Sequence, residues 1–363
     1  MRLALTGGGT GGHILPAMAV LDAIRSQLGD GLEVRFFGPD NRGESRQVAA
    51  YDVAFERVPA AAIRGRGPLG LVRSSFALTR GVFSALRKLR RFKPEVIFST
   101  GGYGSFPCCV AARLLRKPLI VYLPDVEPGW AVKAERRLAT RIATTTDAAL
   151  DSLPKDKTSV TGYPVRPEFF TCTRPGARAQ LHVPEGDKVL VIAGASQGAH
   201  AINEAVFRAL RSFIEEFTVF HITGEADYDE AAGYAEALGS GLVGRYHVSV
   251  FRDDLPVVMH AADLAIWRSG ASSLGELPAA GLPAVLVPGT FAGGHQAANA
   301  KWLVDHGAAV ILEEDRLRGI ENLVLGLMND ESRLAAMAAA AKALARPQAA
   351  HDIAKLCTEV AAT

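Results

Sequence analysis

One pattern occurs twice in this chain and constrains it more than any other feature. Leu3 to Pro16 reads LALTGGGTGGHILP and Leu190 to Asn203 reads LVIAGASQGAHAIN, so Gly7/Gly194, Gly11/Gly198 and His13/His200 are each 187 positions apart. In the first copy a short apolar run meets a cluster of glycines, after which Ile14, Met18, Leu21 and Ile24 recur at helical spacing. That is a strand, a tight loop and a helix. Two such units in 363 residues predict two doubly wound α/β domains in tandem.

The alternation continues through candidate strands at Leu32–Phe37, Val53–Val58, Val96–Ser99, Leu119–Leu123 and Arg141–Thr144, with helical stretches between most of them. A second series runs through Val219–Thr223, Tyr246–Phe251, Leu264–Trp267, Ala284–Val287 and Ala309–Leu312. Such alternation predicts parallel sheets covered by helices. Between the series, Thr161 to Phe170 (TGYPVRPEFF) breaks regular structure with two prolines. The expected division is residues 1–163, residues 164–345, and a segment 346–363 whose helix, about Ala350 to Val360, returns to the first domain.

With 48% hydrophobic and 21% charged residues, the chain is neither disordered, collagen-like nor a disulfide framework. Cys108, Cys109, Cys172 and Cys357 include no Cys-x-x-Cys pair and are expected to be reduced and structural. The N-terminus has too short an apolar run for a secretory signal. The uncharged stretch Val96 to Ala112 is interrupted by glycines and a proline, so no spanning helix is expected. Charge is uneven: residues 1–160 hold 24 Lys/Arg against 14 Asp/Glu, and residues 161–363 hold 16 against 24. The first half is suited to an anionic partner: a membrane surface, nucleic acid or a phosphorylated substrate.

Gly7 to His13 lies between strand and helix, where small residues let backbone N–H groups approach an anion at the positive helix end. It also satisfies G-x-G-x-x-G, but a dinucleotide site wants an acid at the end of the second strand, and that strand ends Arg35-Phe-Phe-Gly38 with Asp40 arriving late. Gly194-Ala-Ser196-Gln-Gly198 has the form of a hydrolase nucleophile elbow. A phosphate cradle explains both copies at once, with Ser196 giving its hydroxyl and loop amides to a diphosphate. Arg268 to Glu276 (RSGASSLGE) follows a strand and opens a helix. Glu276, flanked by Gly275, Leu277 and Pro278 in an apolar stretch, suits a grip on a sugar diol better than a solvated charge. Gly293 to Asn299 reads as a polar loop that supplies amides to the same crevice. Residues 64–93 carry nine Arg/Lys and no acid, interleaved with Leu69, Leu71, Val72, Phe76, Leu78, Val82, Phe83, Leu86 and Leu89. This is either a solvated basic helix face or an interfacial membrane helix.

Taken together, GGGTGGHILPAMAV, STGGYGSFP (Ser99–Pro107), GYPVRPE (Gly162–Glu168), GASQGAHAIN, FRDDL (Phe251–Leu255) and RSGASSLGELPAAGLPAVLVP (Arg268–Pro288) resemble, in order and spacing, the MurG family of glycosyltransferases, glycosyltransferase family 28. The resemblance covers nearly the whole chain. It implies the GT-B fold, two Rossmann-like domains facing a central cleft, and transfer of N-acetylglucosamine from UDP-GlcNAc to lipid I to make lipid II in peptidoglycan synthesis. It implies an acceptor- and membrane-binding first domain and a UDP-sugar-binding second domain. Carried over by position, Arg166, Ser196, Gln197, Gly198, Arg252 through its backbone, Ala271, Ser272, Ser273, Leu274, Glu276 and Gln296 line the donor site. Phe251 packs near uracil, Glu276 holds the ribose hydroxyls, and Thr10, Gly11 and Gly12 face the transferred sugar, with His13 the candidate base.

Two departures stand out. Where the family commonly reads His-Glu-Gln-Asn, this chain reads Tyr122-Leu-Pro-Asp125, which makes Asp125 a sugar contact and, with Glu127, a rival base. Gly293 and Gly294 stand where the family often has an acid. No aspartate-rich metal motif is evident, so the expected reaction is inverting and metal-independent, without a cofactor beyond the donor substrate. Expected partners are UDP-GlcNAc, lipid I and an anionic membrane surface met through residues 64–93 at the cytoplasmic face, with room for other cell-wall synthesis or division proteins and no nucleic acid. The rivals are a related transferase with another sugar or lipid acceptor, a UDP-sugar epimerase, and a non-catalytic membrane scaffold.

Overall fold

Strands buried on both faces need apolar residues throughout, and the chain supplies such runs in two series. The computed structural model describes all residues except 9–10, 42, 62–67, 195–197, 240, 290–293 and 363; of residues 11, 68–73, 75 and 130 the backbone alone is described. Residues 1–165 with 348–363 form one unit, and residues 166–347 form the other.

The first unit is a parallel sheet of β1 (Arg2–Thr6), β2 (Glu33–Gly38), β3 (Ala54–Arg57), β4 (Val96–Ser99), β5 (Leu119–Leu123), β6 (Arg141–Thr144) and β7 (Thr158–Val160). The order is β3-β2-β1-β4-β5-β6-β7. β1, β4 and β5 are buried nearly end to end, as a sheet covered on both faces requires. Because the order reverses between β1 and β4, a crevice opens at their carboxyl ends. Around the sheet lie α1 (Gly11–Leu28), α2 (Glu44–Ala49), α3 (Pro68–Phe92), α4 (Phe106–Leu114) and α5 (Trp130–Glu135). The C-terminal helix, Ala349–Ala361, buries Ile353, Ala354 and Cys357 against α1 and β4. Burying side chains such as Ile353 stabilises by roughly 1.5–3 kcal/mol each.

α3 corrects the expectation that residues 64–93 form one interfacial segment. Residues 64–67 lie outside the described residues, and the helix has two apolar faces with different destinations. Ala85, Leu89 and Phe92 join the core under the sheet. A Cβ on Gly81 would stand 2.1 Å from the Pro59 carbonyl oxygen, so glycine is what lets the helix lie this close. Outward, Phe76 and Phe83 are 65% and 68% exposed, in a stripe with the exposed Arg80, Arg87, Arg90 and Arg91. Lys88 leaves that stripe to pair with Glu56 at 2.7 Å.

The second unit is a parallel sheet of β8 (Lys188–Ala193), β9 (Phe217–Ile222), β10 (Tyr246–Ser249), β11 (Leu264–Trp267), β12 (Ala284–Leu286) and β13 (Ala309–Ile311), in the order β10-β9-β8-β11-β12-β13. The reversal here falls between β8 and β11. The helices are α6 (Glu168–Thr171), α7 (Arg174–Gln180), α8 (His200–Glu216), α9 (Tyr228–Glu236), α10 (Leu255–Ala261), α11 (Ser273–Ala280), α12 (His295–Asp305), α13 (Ile320–Asn329) and α14 (Glu331–Ala343). α8 sets Ile202, Val206, Leu210 and Phe213 at helical spacing into a core shared with β8, β11 and α13. The four cysteines are unpaired, and all but Cys172 are buried.

Candidate active site

In the first unit, two glycine-rich loops cross at the carboxyl ends of β1 and β4, nearly backbone to backbone. A Cβ on Gly7 would lie 2.3 Å from Thr100 Oγ1, one on Gly8 2.9 Å from Gly104 Cα, and one on Gly102, whose φ is +87°, 2.6 Å from the Gly8 carbonyl oxygen. Thr100 N–H donates to Thr6 O at 3.0 Å, tying the loops together. In the first turn of α1, His13 Nδ1 lies 2.9 Å from the Thr100 carbonyl oxygen. A carbonyl can only accept, so Nδ1 carries a hydrogen, and a neutral ring held this way has its bare nitrogen at Nε2. Gly11 and Gly12 begin the same helix. Thr10 lies outside the described residues.

Asp125 and Glu127 follow the carboxyl end of β5; Asp125 is half-buried and Glu127 exposed. Tyr122, where the family motif begins, points into the sheet instead, its hydroxyl 2.7 Å from Thr145 Oγ1, and burial pushes its pKa well up, so it stays a phenol. Sequence reasoning missed Glu135, the last residue of α5. It is wholly buried, its carboxyl oxygens lie 2.7 Å from Ser105 Oγ and 3.3 Å from Ser99 Oγ, and burial pushes its pKa up to about 7.

In the second unit the carboxyl ends of β8, β10, β11 and β12 carry the predicted donor residues, apart from Arg166, which joins them from the start of the unit. Ser196 and Gln197 lie outside the described residues, but the glycine closing their loop is described. Gly198 has φ +76°, and a Cβ there would meet the Thr223 carbonyl oxygen at 2.2 Å. A buried network backs this contact: Asn203 Nδ2 donates to Thr223 O (2.9 Å) and Asp227 Oδ2 (2.6 Å), and its Oδ1 accepts from His221 Nε2 (3.0 Å). Tyr246 OH completes it on His221 Nδ1 at 2.8 Å. Burial lowers the His221 pKa to about 3, so the ring stays neutral. His200, the counterpart of His13, pairs with Asp227 at 2.7 Å, which raises its pKa.

After β10, Phe251 is 60% exposed, an aromatic face available for stacking. Arg252 grips Asp254 through Nε (2.7 Å) and a terminal nitrogen (2.5 Å), which holds that carboxyl below its usual range, while Arg166 donates to the Asp253 carbonyl oxygen at 3.0 Å. After β11, Ala271 and Ser272 are partly exposed, whereas Ser273, Leu274 and Glu276 are buried as α11 begins. Burial pushes Glu276 up to about 7, against a lowering hydrogen bond from Ser272 and the charge of Arg166. Gln296, in the first turn of α12, accepts from Gly289 N–H through Oε1 at 2.8 Å, which turns its amide nitrogen the other way. Arg268, which opens the motif, is structural: it is buried and donates to Glu314 Oε1 at 2.6 Å.

Two family models cover most of the chain: the glycosyltransferase family 28 N-terminal domain over residues 3–144 and its C-terminal domain over residues 188–353. The UDP-N-acetylglucosamine--N-acetylmuramyl-(pentapeptide) pyrophosphoryl-undecaprenol N-acetylglucosamine transferase of Desulforudis audaxviator is 36% identical, with 99% of each chain covered. The chain belongs to glycosyltransferase family 28. The identically named transferase of Nitratidesulfovibrio vulgaris is 37% identical over 97% of this chain and 95% of its own. Among solved structures, Acinetobacter baumannii MurG matches with a TM-score of 0.76 at 26% identity, covering 99% of each chain. The family 28 chain thus has the GT-B fold. The UDP-GlcNAc 2-epimerase of Neisseria meningitidis, with a TM-score of 0.67 at 14% identity, shares the fold alone.

Proposed function

We propose that this family 28 enzyme transfers N-acetylglucosamine from UDP-GlcNAc to lipid I, with inversion at the anomeric carbon, to give lipid II. The full-length relatives bearing that transferase name support the reaction. The observation that carries the donor assignment is Glu276: a buried carboxyl in the first turn of α11, at the carboxyl end of β11, suits two vicinal ribose hydroxyls. Phe251 offers a face to uracil. The backbone amides at Gly198 and at the start of α8 suit the leaving diphosphate, as an oxyanion hole does. The acceptor hydroxyl attacks C1 of the sugar, the bond from C1 to the diphosphate oxygen breaks, UDP leaves with the electron pair, and His13 Nε2 takes the hydroxyl proton. Offered UDP-GlcNAc, UDP-GalNAc and UDP-glucose, the enzyme is expected to release UDP only with lipid I present and fastest from UDP-GlcNAc. Equal UDP release without the lipid would mark a hydrolase instead.

The outer stripe of α3 supports peripheral attachment to an anionic membrane at the cytoplasmic face. Phe76 and Phe83 offer apolar insertion, and each nearby cation contributes about 1 kcal/mol of attraction to anionic lipid. A soluble-sugar epimerase has no use for such a face. Changing Arg80, Arg87, Arg90 and Arg91 together to Glu is expected to release the enzyme from anionic vesicles without changing UDP affinity; Lys88 is left alone because it holds Glu56. High salt should weaken the wild type as exposed charges are screened. Equal binding of wild type and variant to anionic vesicles would overturn the assignment.

A further inference from the structure

Ser105 Oγ lies 2.7 Å from Glu135 Oε1 and 2.7 Å from the Gly102 carbonyl oxygen. A serine hydroxyl has one proton, and a carbonyl can only accept. Both contacts are hydrogen bonds only when the carboxyl brings a second proton: Glu135 then donates to Ser105, and Ser105 donates on to Gly102. At the other oxygen, Ser99 Oγ donates to Oε2 at 3.3 Å while accepting Gly101 N–H at 3.1 Å. A single carboxyl thus holds both ends of the loop Ser99–Ser105. Within that loop sits the Thr100 carbonyl that fixes His13 Nδ1. The Gly102 backbone also faces the ring, since a Cβ there would lie 3.3 Å from His13 Nε2.

We propose that Glu135 is a positioning residue for the transfer reaction, which in its protonated form locks the Gly101–Gly102 turn and, through the Thr100 carbonyl, the His13 tautomer with a bare Nε2. The proposal rests on the reading of His13 as the base. When Glu135 ionises, the one hydroxyl proton of Ser105 turns to the carboxylate and the Gly102 carbonyl keeps only the Ser105 N–H at 3.3 Å. With the carboxyl pushed up to about 7 by burial, that exchange falls near neutral pH. The other titratable groups facing Glu135 from α4 keep their protons there: burial raises the Cys108 thiol to about 12 and holds Cys109 well above its ordinary value. His13 faces the same loop from α1.

The test combines kcat as a function of pH with ¹⁵N NMR of the His13 ring in the full-length enzyme, for wild type, Glu135→Gln and Glu135→Ala, with His13→Ala to assign the resonance. Wild-type kcat is expected to fall about three- to tenfold as pH rises from about 6.5 to 8.5, the worth of one hydrogen bond. The Nδ1–H tautomer should lose dominance over the same range. In Glu135→Gln the amide NH2 donates to Ser105 and its oxygen accepts from Ser99, so the alkaline fall should vanish and the tautomer persist at pH 8.5. Glu135→Ala should lose kcat about tenfold with donor KM within twofold, and Gln should rescue it. A folded Glu135→Ala enzyme with wild-type kcat and tautomer, or a Gln variant keeping the alkaline fall, overturns the proposal; should Ala not fold, the Gln pH profile alone decides. Full turnover by His13→Ala would instead sink the base reading, and the tautomer would still decide the role of Glu135.

Discussion

Replacing His13 with alanine is expected to lower kcat by at least ~10²-fold with donor KM little changed, because loss of a general base typically costs about 10²–10⁴ in rate. The local geometry supports the role: the Thr100 carbonyl holds the hydrogen on Nδ1, so Nε2 is the acceptor, and the ring stands beside the Gly102 backbone where the two glycine loops cross. Asp125→Asn and Glu127→Gln should have smaller effects, since Asp125 is half-exposed and Glu127 exposed. Steady-state kinetics at saturating donor and acceptor separate the cases. Abolished turnover in Asp125→Asn beside near-full activity in His13→Ala would hand the proton to Asp125.

Glu276→Ala is expected to act on the donor instead, raising its KM by ~10²-fold and leaving kcat within a few-fold. Two hydrogen bonds to a carboxylate contribute about 1.5–3 kcal/mol each at most, and part of that is spent in ionising a carboxyl whose burial favours the neutral form. The same burial gives a pH signature. With a free-enzyme pKa of about 7, ribose hydroxyls that donate to the carboxylate should pull a proton off, so UDP affinity rises with pH and levels above 7. From pH 6 to pH 8 the gain should be about tenfold by linkage, and absent in Glu276→Gln. Calorimetry in buffers of different ionisation enthalpy reads the proton released. A Glu276→Ala enzyme with lowered kcat and unmoved KM would place the residue at the reacting bond.

The duplicated units were legible because strands covered on both faces are continuous apolar runs and the glycine loops mark their ends. β7 was not legible: Thr158–Val160 is a three-residue edge strand, largely half-exposed, with no apolar run to signal it. In α3 the helical period is plain, but periodicity alone does not decide which of two apolar stripes meets the sheet, so Leu89 and Phe83 read alike although one is buried and the other exposed. Glu276 could be singled out because Gly275, Leu277 and Pro278 flank it. Glu135 could not, since Lys133-Ala-Glu-Arg-Arg137 has the composition of a solvated helix end, and what buries the carboxyl is a loop 30 positions earlier. The Asn203–His221–Tyr246 network was hidden for the same reason, its partners lying on separate elements.

The most direct test of the central claim uses UDP-GlcNAc labelled in the sugar, incubated with lipid I and the purified enzyme, with the lipid extracted and its new glycosidic bond examined by NMR. The account predicts label in the lipid phase, one UDP released per sugar transferred, and a β linkage from the α-linked donor. Label remaining in water as free N-acetylglucosamine or as a 2-epimer, or an α-linked lipid product, would contradict it.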